Sequence, residues 1–485
     1  MTDNSFSEFS LSAALPRIFK NSNSVLLTSL ITMVSTILIY SWVGKVLGPA
    51  QFGILSFYIA FSNLFFFVAN LGIDQILIRE LAREPNKLQR YWQNALGMWF
   101  VQALLTCFFV VIVGSIIKSE LESPLGLFLA ACYIALQSAR QLFRAVIHSV
   151  ERMEFETFAL LIERGIALLG TYIVLQLGGN IIDILYVFLA SQILGILSYC
   201  GSIYHILREI PIPKFSLGTW HELGKMSIPF ALNIMLSPIY TQADVVFLAL
   251  LAGNSEAGIY RAASSLVYPL GMIAVSLSSA LFPVMSKAAH LGRKSSHLSQ
   301  KSLQLLLAIS VPMSIGLIIL ADRFVGLFYA SDYYESVNLV RILALMLPLR
   351  FVNNMLGVVL TSINHQRFRT FGVGIGTIVM VVLNLIFIPF WGYYAAAIVS
   401  VLTEIIITGL FFVFTREYVS LDLNLIKLFV ANGILGILIL VFQNLNLLLL
   451  ILLGAFSYLI ILILIRFWGL QEWKAVSQAI LSKIG

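Results

Sequence analysis

Apolar runs of about twenty residues recur along the whole chain, and the loops between them alternate between rich and poor in Lys and Arg. A run of that length crosses a bilayer core of roughly 30 Å as an α-helix, because lipid offers no partner to an unpaired peptide group. The spacing predicts about fourteen spans, near 25–44, 54–77, 95–117, 125–146, 158–177, 182–206, 228–251, 258–283, 302–321, 338–360, 370–389, 394–414, 424–442 and 446–466. Arg17, Lys20, Arg79, Arg83, Lys87, Arg90, Arg152, Lys225, Lys287, Arg367, Arg416 and Lys474 then share one side with many other bases. The opposite side holds only Lys45, Lys118, Arg323 and Arg341. Short basic loops stay in the cytoplasm, so both chain ends are expected there and the protein in the cell membrane.

This pattern excludes several function classes. The net charge of +7 is accounted for by topology and contact with anionic headgroups, so it does not argue for nucleic acid. Cys107, Cys132 and Cys200 all fall inside spans and read as small packing residues. The first span follows a polar leader and no cleavage pattern comes after it, so it is expected to remain a helix. Every loop is too short for a soluble catalytic domain. Gly218 and Gly224-Lys225 suggest a phosphate loop, but their spacing is wrong and Met226 follows the lysine. The aspartates form no Asp-x-Asp pair, and no histidines stand at metal-binding spacing. No cofactor, metal or enzymatic activity is expected.

The chain repeats itself at an offset of about 205 residues, where Gly48-Pro-Ala-Gln-Phe-Gly53-Ile54 aligns with Gly253-Asn-Ser-Glu-Ala-Gly258-Ile259. Chance glycine matching is the competing explanation. A true repeat predicts an all-α polytopic fold of two pseudo-symmetric six-helix bundles around a central cavity. The expected organisation is a cytoplasmic segment 1–24, a bundle 25–207, a cytoplasmic linker 208–227 and a second bundle 228–416. Two additional C-terminal helices and a tail occupy 417–485.

Polar residues inside the spans lie on coherent helical faces. Span seven carries Asn233, Ser237, Tyr240 and Asp244, and span eight carries Arg261, Ser265 and Tyr268. Span ten carries Arg350, Asn353 and Asn354, span twelve Ser400, Glu404 and Thr408, and span two Ser56, Asn63, Asn70 and Asp74. Charges at membrane depth are costly and normally face a wet interior. One reading is a cavity in which Arg261, Arg350, Arg164, Arg140 and Arg144, with Asn233, Asn353 and Asn354, hold an anionic group. Asp244, Glu404 and Asp74 would then bind and release H⁺ or Na⁺. The other reading is interhelical hydrogen bonding, with Arg140 and Arg144 merely snorkelling to the surface. Prolines 229, 238, 269, 283, 312, 348 and 389 interrupt spans in the second half, which permits bending.

Leu47-Gly48-Pro49-Ala50-Gln51-Phe52-Gly53 resembles the LGP-x-x-FG signature of Wzx-type oligosaccharide flippases. Leu77-Ile78-Arg79-Glu80-Leu81-Ala82-Arg83, Glu151-Arg152-Met153, Gly258-Ile259-Tyr260, Leu281-Phe282-Pro283 and Ile388-Pro389-Phe390-Trp391-Gly392 follow in that family's order. Ala395 stands where many members carry glycine. The resemblance runs over residues 17–415. It implies a member of the multidrug/oligosaccharidyl-lipid/polysaccharide (MOP) exporter superfamily. The implied activity is moving an undecaprenyl-pyrophosphate-linked oligosaccharide between leaflets by alternating access. The polymerase and glycosyltransferases of the same pathway would be its partners. A cation-coupled multidrug-type exporter is the alternative, although span one carries no charge between Val25 and Gly44. A membrane-embedded glycan polymerase or ligase is the third reading, and the loop at 322–337 offers it only Asp322, Arg323, Asp332 and Glu335.

Overall fold

The computed structural model describes residues 11–84, 87–117, 123–150, 152–208, 212–290, 296–419 and 424–467. Its regular elements there are α-helices and short 3₁₀ turns. The helices are α1 (Leu11–Leu64), α2 (Phe66–Asn70), α3 (Ile73–Arg83), α4 (Leu88–Ile117), α5 (Pro124–Ser149), α6 (Met153–Gln176), α7 (Ile181–Leu207) and α8 (Leu217–Leu251). They continue as α9 (Asn254–Val267), α10 (Gly271–His290), α11 (Ser296–Ile319), α12 (Ala321–Phe328), α13 (Ser336–Ala344) and α14 (Met346–Ser362). Then come α15 (Gln366–Thr415), α16 (Leu425–Val441) and α17 (Leu447–Leu464). Eleven helical stretches among the described residues are long and apolar enough to cross a membrane, and α16 is a shorter apolar helix. This is a multi-pass membrane protein. Large apolar side chains such as Leu104, Leu169, Ile378, Ile426, Phe429 and Leu464 stand exposed on these helices. Lipid is as apolar as leucine, so such faces cost nothing in a bilayer.

Two of the long helices are broken by glycine. In α1 the break is Gly48 (φ 76°), and in α15 it is Gly392 (φ 51°). Only glycine enters that left-handed region freely. The arms of α15 fold back on each other. Gly372 lies against Phe411 and Leu410, and Gly376 against Ile407 and Thr403. These antiparallel pairs are centred on Gly392, and the missing glycine side chains are what let the arms approach. The glycine breaks thus divide α1 and α15 into two helical arms each.

Local chemistry explains the other boundaries. Ser123 caps α5 by accepting from Gly126 N at 3.2 Å, with Pro124 at the first helical position. Asn180 and Asp183 form a reciprocal capping box at the start of α7. The expected span 54–77 is bent, because Leu71 (φ 48°) and Gly72 (φ 85°) separate α2 from α3. The expected span 258–283 is also divided. Pro269 lacks the N–H that a continuous α-helix needs, and Tyr268–Leu270 forms a 3₁₀ turn there. The loop expected at 322–337 contains α12 and a second 3₁₀ turn at Ser331–Tyr333.

The described chain clusters into two compact units. One comprises Val34–Ala262 and Met380–Ala396. The other comprises Met1–Met33, Ala263–Val379 and Ala397–Gly485, as far as those ranges are described. In the first unit α4, α5, α6 and α7 pack side by side. A core of Ile73, Leu77, Tyr91, Trp92, Phe143, Val146 and Tyr199 forms where α3 and α8 join them. Trp92 meets Phe143 edge to face, with centroids 4.8 Å apart. In the second unit α11 packs on α13, α14 and α16. Arg323 donates to the Gln443 and Leu445 carbonyls at 2.6 and 2.8 Å, clamping the turn between α16 and α17.

The two repeated glycine motifs meet inside the first unit. Gly253 (φ 107°), like Gly48, adopts a conformation that favours glycine. A Cβ on Gly53 would stand 1.8 Å from the Asn254 carbonyl oxygen, and one on Gly258 would stand 2.0 Å from the Pro49 carbonyl oxygen. Under the 205-residue offset, Pro49 corresponds to Asn254 and Gly53 to Gly258, so the contact is reciprocal. Beside it, Glu256 Oε2 accepts a hydrogen bond from Tyr393 N at 3.0 Å, capping the helical arm that begins after Gly392.

Candidate functional site

In the unit that carries α14, the largely buried Arg350 pairs with the buried Glu404. Arg350 Nε donates to Glu404 Oε1 at 2.9 Å, although the two residues are 54 positions apart. Asn353 Nδ2 donates to Glu404 Oε2 at 2.7 Å, so both carboxylate oxygens are engaged. Asn354 Nδ2 donates to the Arg350 carbonyl at 2.8 Å. The guanidinium lies over the Tyr268 ring, 4.9 Å from its centroid. Tyr268 is in the 3₁₀ turn made by Pro269, so the local helix break helps to set this stacking. Gly271 leaves the room, since a Cβ there would stand 3.1 Å from Arg350 Cδ. Glu404 is only 1% exposed, and a carboxylate that deep needs a cationic or hydrogen-bonding partner. The guanidinium donates to Glu404 through Nε and turns its face to the tyrosine.

The other unit holds three polar groups. Arg261 is 8% exposed. It donates to Tyr40 OH at 2.9 Å and to Gln242 Oε1 at 3.3 Å, with its carbon 4.7 Å from the Tyr40 ring centroid. Asp244 is 3% exposed. Tyr260 OH donates to one of its oxygens at 2.9 Å and Asn384 Nδ2 to the other at 2.7 Å. The neutral donors Tyr260 and Asn384 thus both reach this carboxylate, the latter from 140 residues away. In the third group Glu163 lies between Arg140 Nε at 3.3 Å and Arg164 Nε at 3.9 Å, and it accepts from Gln192 Nε2 at 3.0 Å. A small cavity of about 40 Å³ adjoins it, lined by Tyr40, Tyr133, Glu163, Arg164 and Gln192.

Arg144 donates to Glu156 Oε1 at 2.6 Å, and the other oxygen of Glu156 meets His148. Arg144 is half exposed, as expected for snorkelling. Asp74 is buried in the first turn of α3 and accepts from its neighbour Gln75 at 2.9 Å. The Asn233 side chain lies outside the described residues. The described bonds therefore join Arg350, Glu404, Asn353 and Asn354 into one group and place Arg140 and Arg164 around Glu163. Arg261, Asp244, Arg144 and Asp74 bond to other partners. Sequence reasoning missed Tyr40, Gln192, Gln242, Tyr260 and Asn384. Only Asn384 carried a visible signal, standing with Thr377 at a seven-residue step in an otherwise apolar run. Among the described residues no group of three His, Cys, Asp or Glu side chains is arranged to hold a metal ion.

Largely buried arginines on tyrosine faces and buried carboxylates thus lie on helices that are long and apolar enough to cross a membrane, where charged groups normally face a bundle interior or a wet cavity. The family described as "Polysaccharide biosynthesis protein" matches residues 18–289, and that described as "Lipid II flippase MurJ" matches 158–467. The chain belongs to the polysaccharide biosynthesis protein family, as a Wzx-type polysaccharide flippase of the MOP superfamily. It is 21% identical over 379 residues to the "Probable low-salt glycan biosynthesis flippase Agl15" of Haloferax volcanii, covering 77% of this chain and 78% of that one. It is 22% identical over 305 residues to the "Succinoglycan biosynthesis transport protein ExoT" of Rhizobium meliloti, covering 62% and 60%. The fold is similar to "Lipid II flippase MurJ, inward closed conformation", with TM-score 0.74, 16% identity and coverage of 91% of this chain and 99% of that one. It is also similar to an inward-facing "multidrug resistance MATE family transporter of the MOP superfamily", with TM-score 0.65, 14% identity and coverage of 80% and 94%. The protein is a flippase of lipid-linked glycan or polysaccharide precursors, and its relatives are transporters rather than catalysts.

Proposed function

We propose that the cargo is an undecaprenyl-pyrophosphate-linked oligosaccharide, moved from the cytoplasmic to the outer leaflet of the cell membrane by alternating access. The observation that carries this reading is the pair of nearly buried guanidiniums, Arg261 and Arg350, each stacked on a tyrosine. A guanidinium binds phosphate oxygens through paired N–H groups, and a desolvated one binds them more strongly than in water. The pyrophosphate would exchange for the intramolecular partners. For Arg350 that means leaving Glu404, and a proton taken up by Glu404 weakens the pair and frees the guanidinium. Asp244 would take the coupling ion, H⁺ or Na⁺, and Asp74 is a further candidate for that role. Both chain ends would face the cytoplasm. The repeat would divide the chain into bundles 25–207 and 228–416, with linker 208–227 and two C-terminal helices. The polymerase and glycosyltransferases that make and consume the glycan would be its partners.

Deleting the gene in its host tests this reading. Lipid-linked oligosaccharide is expected to accumulate in the cytoplasmic leaflet while surface glycan is lost. An unchanged leaflet distribution would count against it. Asp244→Asn probes the coupling role. The substitution keeps the size and polarity that Tyr260 and Asn384 meet but removes the charge. Flipping in proteoliposomes is expected to lose its response to imposed H⁺ and Na⁺ gradients. A full response in the variant would rule Asp244 out as the ion site.

A further inference from the structure

We propose that the cavity bounded by α1, α2, α5 and α8 is a subsite for a single sugar ring of the cargo. The proposal rests on the flippase reading above and deepens it. The cavity measures about 280 Å³, just below the roughly 300–1,000 Å³ of pockets for drug-sized ligands. Its walls carry four carboxamides, Asn63, Gln137, Gln141 and Gln242, and one aromatic ring, Phe66. Among the described residues that line it, none is charged.

That lining, which also includes Ile234 and Pro238, suits a neutral polar ligand with an apolar face. A lipid chain or an apolar drug would leave the amides dry and unpaired, which costs free energy. An ionic group would find no counter-charge on the walls. Sugar hydroxyls both donate and accept, as carboxamides do, and vicinal hydroxyls suit the paired O and N of one amide. Neighbouring bonds set which amide atoms remain for a ligand. Asn70 Nδ2 donates to Gln141 Oε1 at 2.9 Å, leaving the Gln141 nitrogen as the donor. Arg261 Nη1 donates to Gln242 Oε1 at 3.3 Å, leaving the Gln242 nitrogen likewise. Thr241 donates its hydroxyl proton to the Ser237 carbonyl at 2.9 Å, so its oxygen faces a ligand as an acceptor. The walls therefore offer both donors and acceptors together with one aromatic ring, whose apolar face suits the C–H face of a pyranose.

Placement fits as well. Gln242 joins the cavity wall to Arg261, so the amides begin one side chain from the guanidinium. In a glycan linked through pyrophosphate, the first sugar is attached directly to the phosphate that Arg261 would hold. The amide cavity would then read that first sugar.

The purified full-length protein can be titrated in detergent with undecaprenyl pyrophosphate. The comparison set is the same lipid bearing one glucose, galactose, N-acetylglucosamine or N-acetylgalactosamine. Wild type is expected to bind at least one sugar-bearing lipid about tenfold more tightly than the bare one. Asn63→Leu and Gln137→Leu should each lose that preference while keeping wild-type affinity for the bare lipid, which also reports an intact fold. As a measurement on wild type alone, a diazirine carried on the preferred sugar should label α1, α2, α5 or α8. A sugar preference that persists in both variants, its absence from wild type, or labelling confined to other helices overturns the subsite and leaves the flippase reading standing. Failure of wild type to bind undecaprenyl pyrophosphate at all overturns the flippase reading and the subsite with it.

Discussion

Arg350→Ala is expected to abolish export of the lipid-linked glycan. The substitution removes a guanidinium that binds Glu404 through Nε and covers the Tyr268 ring. It also leaves Glu404 buried with Asn353 still attached but its arginine gone. Losing one partner of a buried ion pair costs about 3–5 kcal/mol, so the single variant confounds transport with stability. The double variant Arg350→Ala with Glu404→Gln separates them. The amide that replaces the carboxylate is neutral and can still accept from Asn353, so much of the lost stability should return. Coupling in the double-mutant cycle should fall within about 0.5–3 kcal/mol. Export should remain absent in the double variant, because no guanidinium is left to take the phosphate. Recovery of export along with stability would reduce Arg350 to a structural role. Arg350→Lys makes the same point from the other side. An ammonium keeps the charge but loses the planar face that stacks on Tyr268, so export should stay strongly impaired.

The second large effect is steric. Gly53→Ala and Gly258→Ala each place a methyl group within 2.0 Å of a backbone carbonyl oxygen, so neither site can relax by moving a side chain. Overpacking typically costs about 1–3 kcal/mol and more where backbone must shift, so both variants should melt well below wild type in detergent. Gly48→Ala and Gly253→Ala form the control. Both have positive φ, but nothing lies within 4 Å of the added Cβ. Their penalty is backbone strain alone, about 1–3 kcal/mol, with Gly48 (φ 76°, ψ 172°) in a region that is essentially glycine-only. The expected order of melting temperatures is wild type, then the Gly48 and Gly253 variants, then the Gly53 and Gly258 variants. A Gly258→Ala protein as stable as wild type would show that the reciprocal contact bears no strain.

Hydropathy and helix chemistry carried much of the architecture. Span-length apolar runs imposed helices, because a bilayer leaves no other way to satisfy the backbone. The capping residues at Ser123 and Asn180 and the break at Pro269 are likewise local effects. The glycines of the repeat could be singled out because their spacing recurs. Their purpose could not, since it depends on two motifs 205 residues apart meeting face to face. The polar candidates divide in the same way. That Arg350, Glu404, Arg261 and Asp244 matter follows from the cost of a charge at membrane depth. Arginines and carboxylates assigned to separate tasks turned out to share bonds, as Arg350 and Glu404 do.

Partnership between distant helices is the part that needed three dimensions. Asn384 holds Asp244 from 140 residues away, and Gln141 and Gln242 meet around one cavity from different helices. Hydropathy constrains each helix to lie in the bilayer but says nothing about its rotation or its neighbour. Those are settled by shape, where a glycine lets a backbone or a ring approach, as Gly258 does at Pro49 and Gly372 at Phe411. Membrane class, span-forming segments and family are written along the chain because they are set by residues near one another. The ion pairs, the clasped aspartate and the amide cavity exist only once packing has fixed which helix faces which.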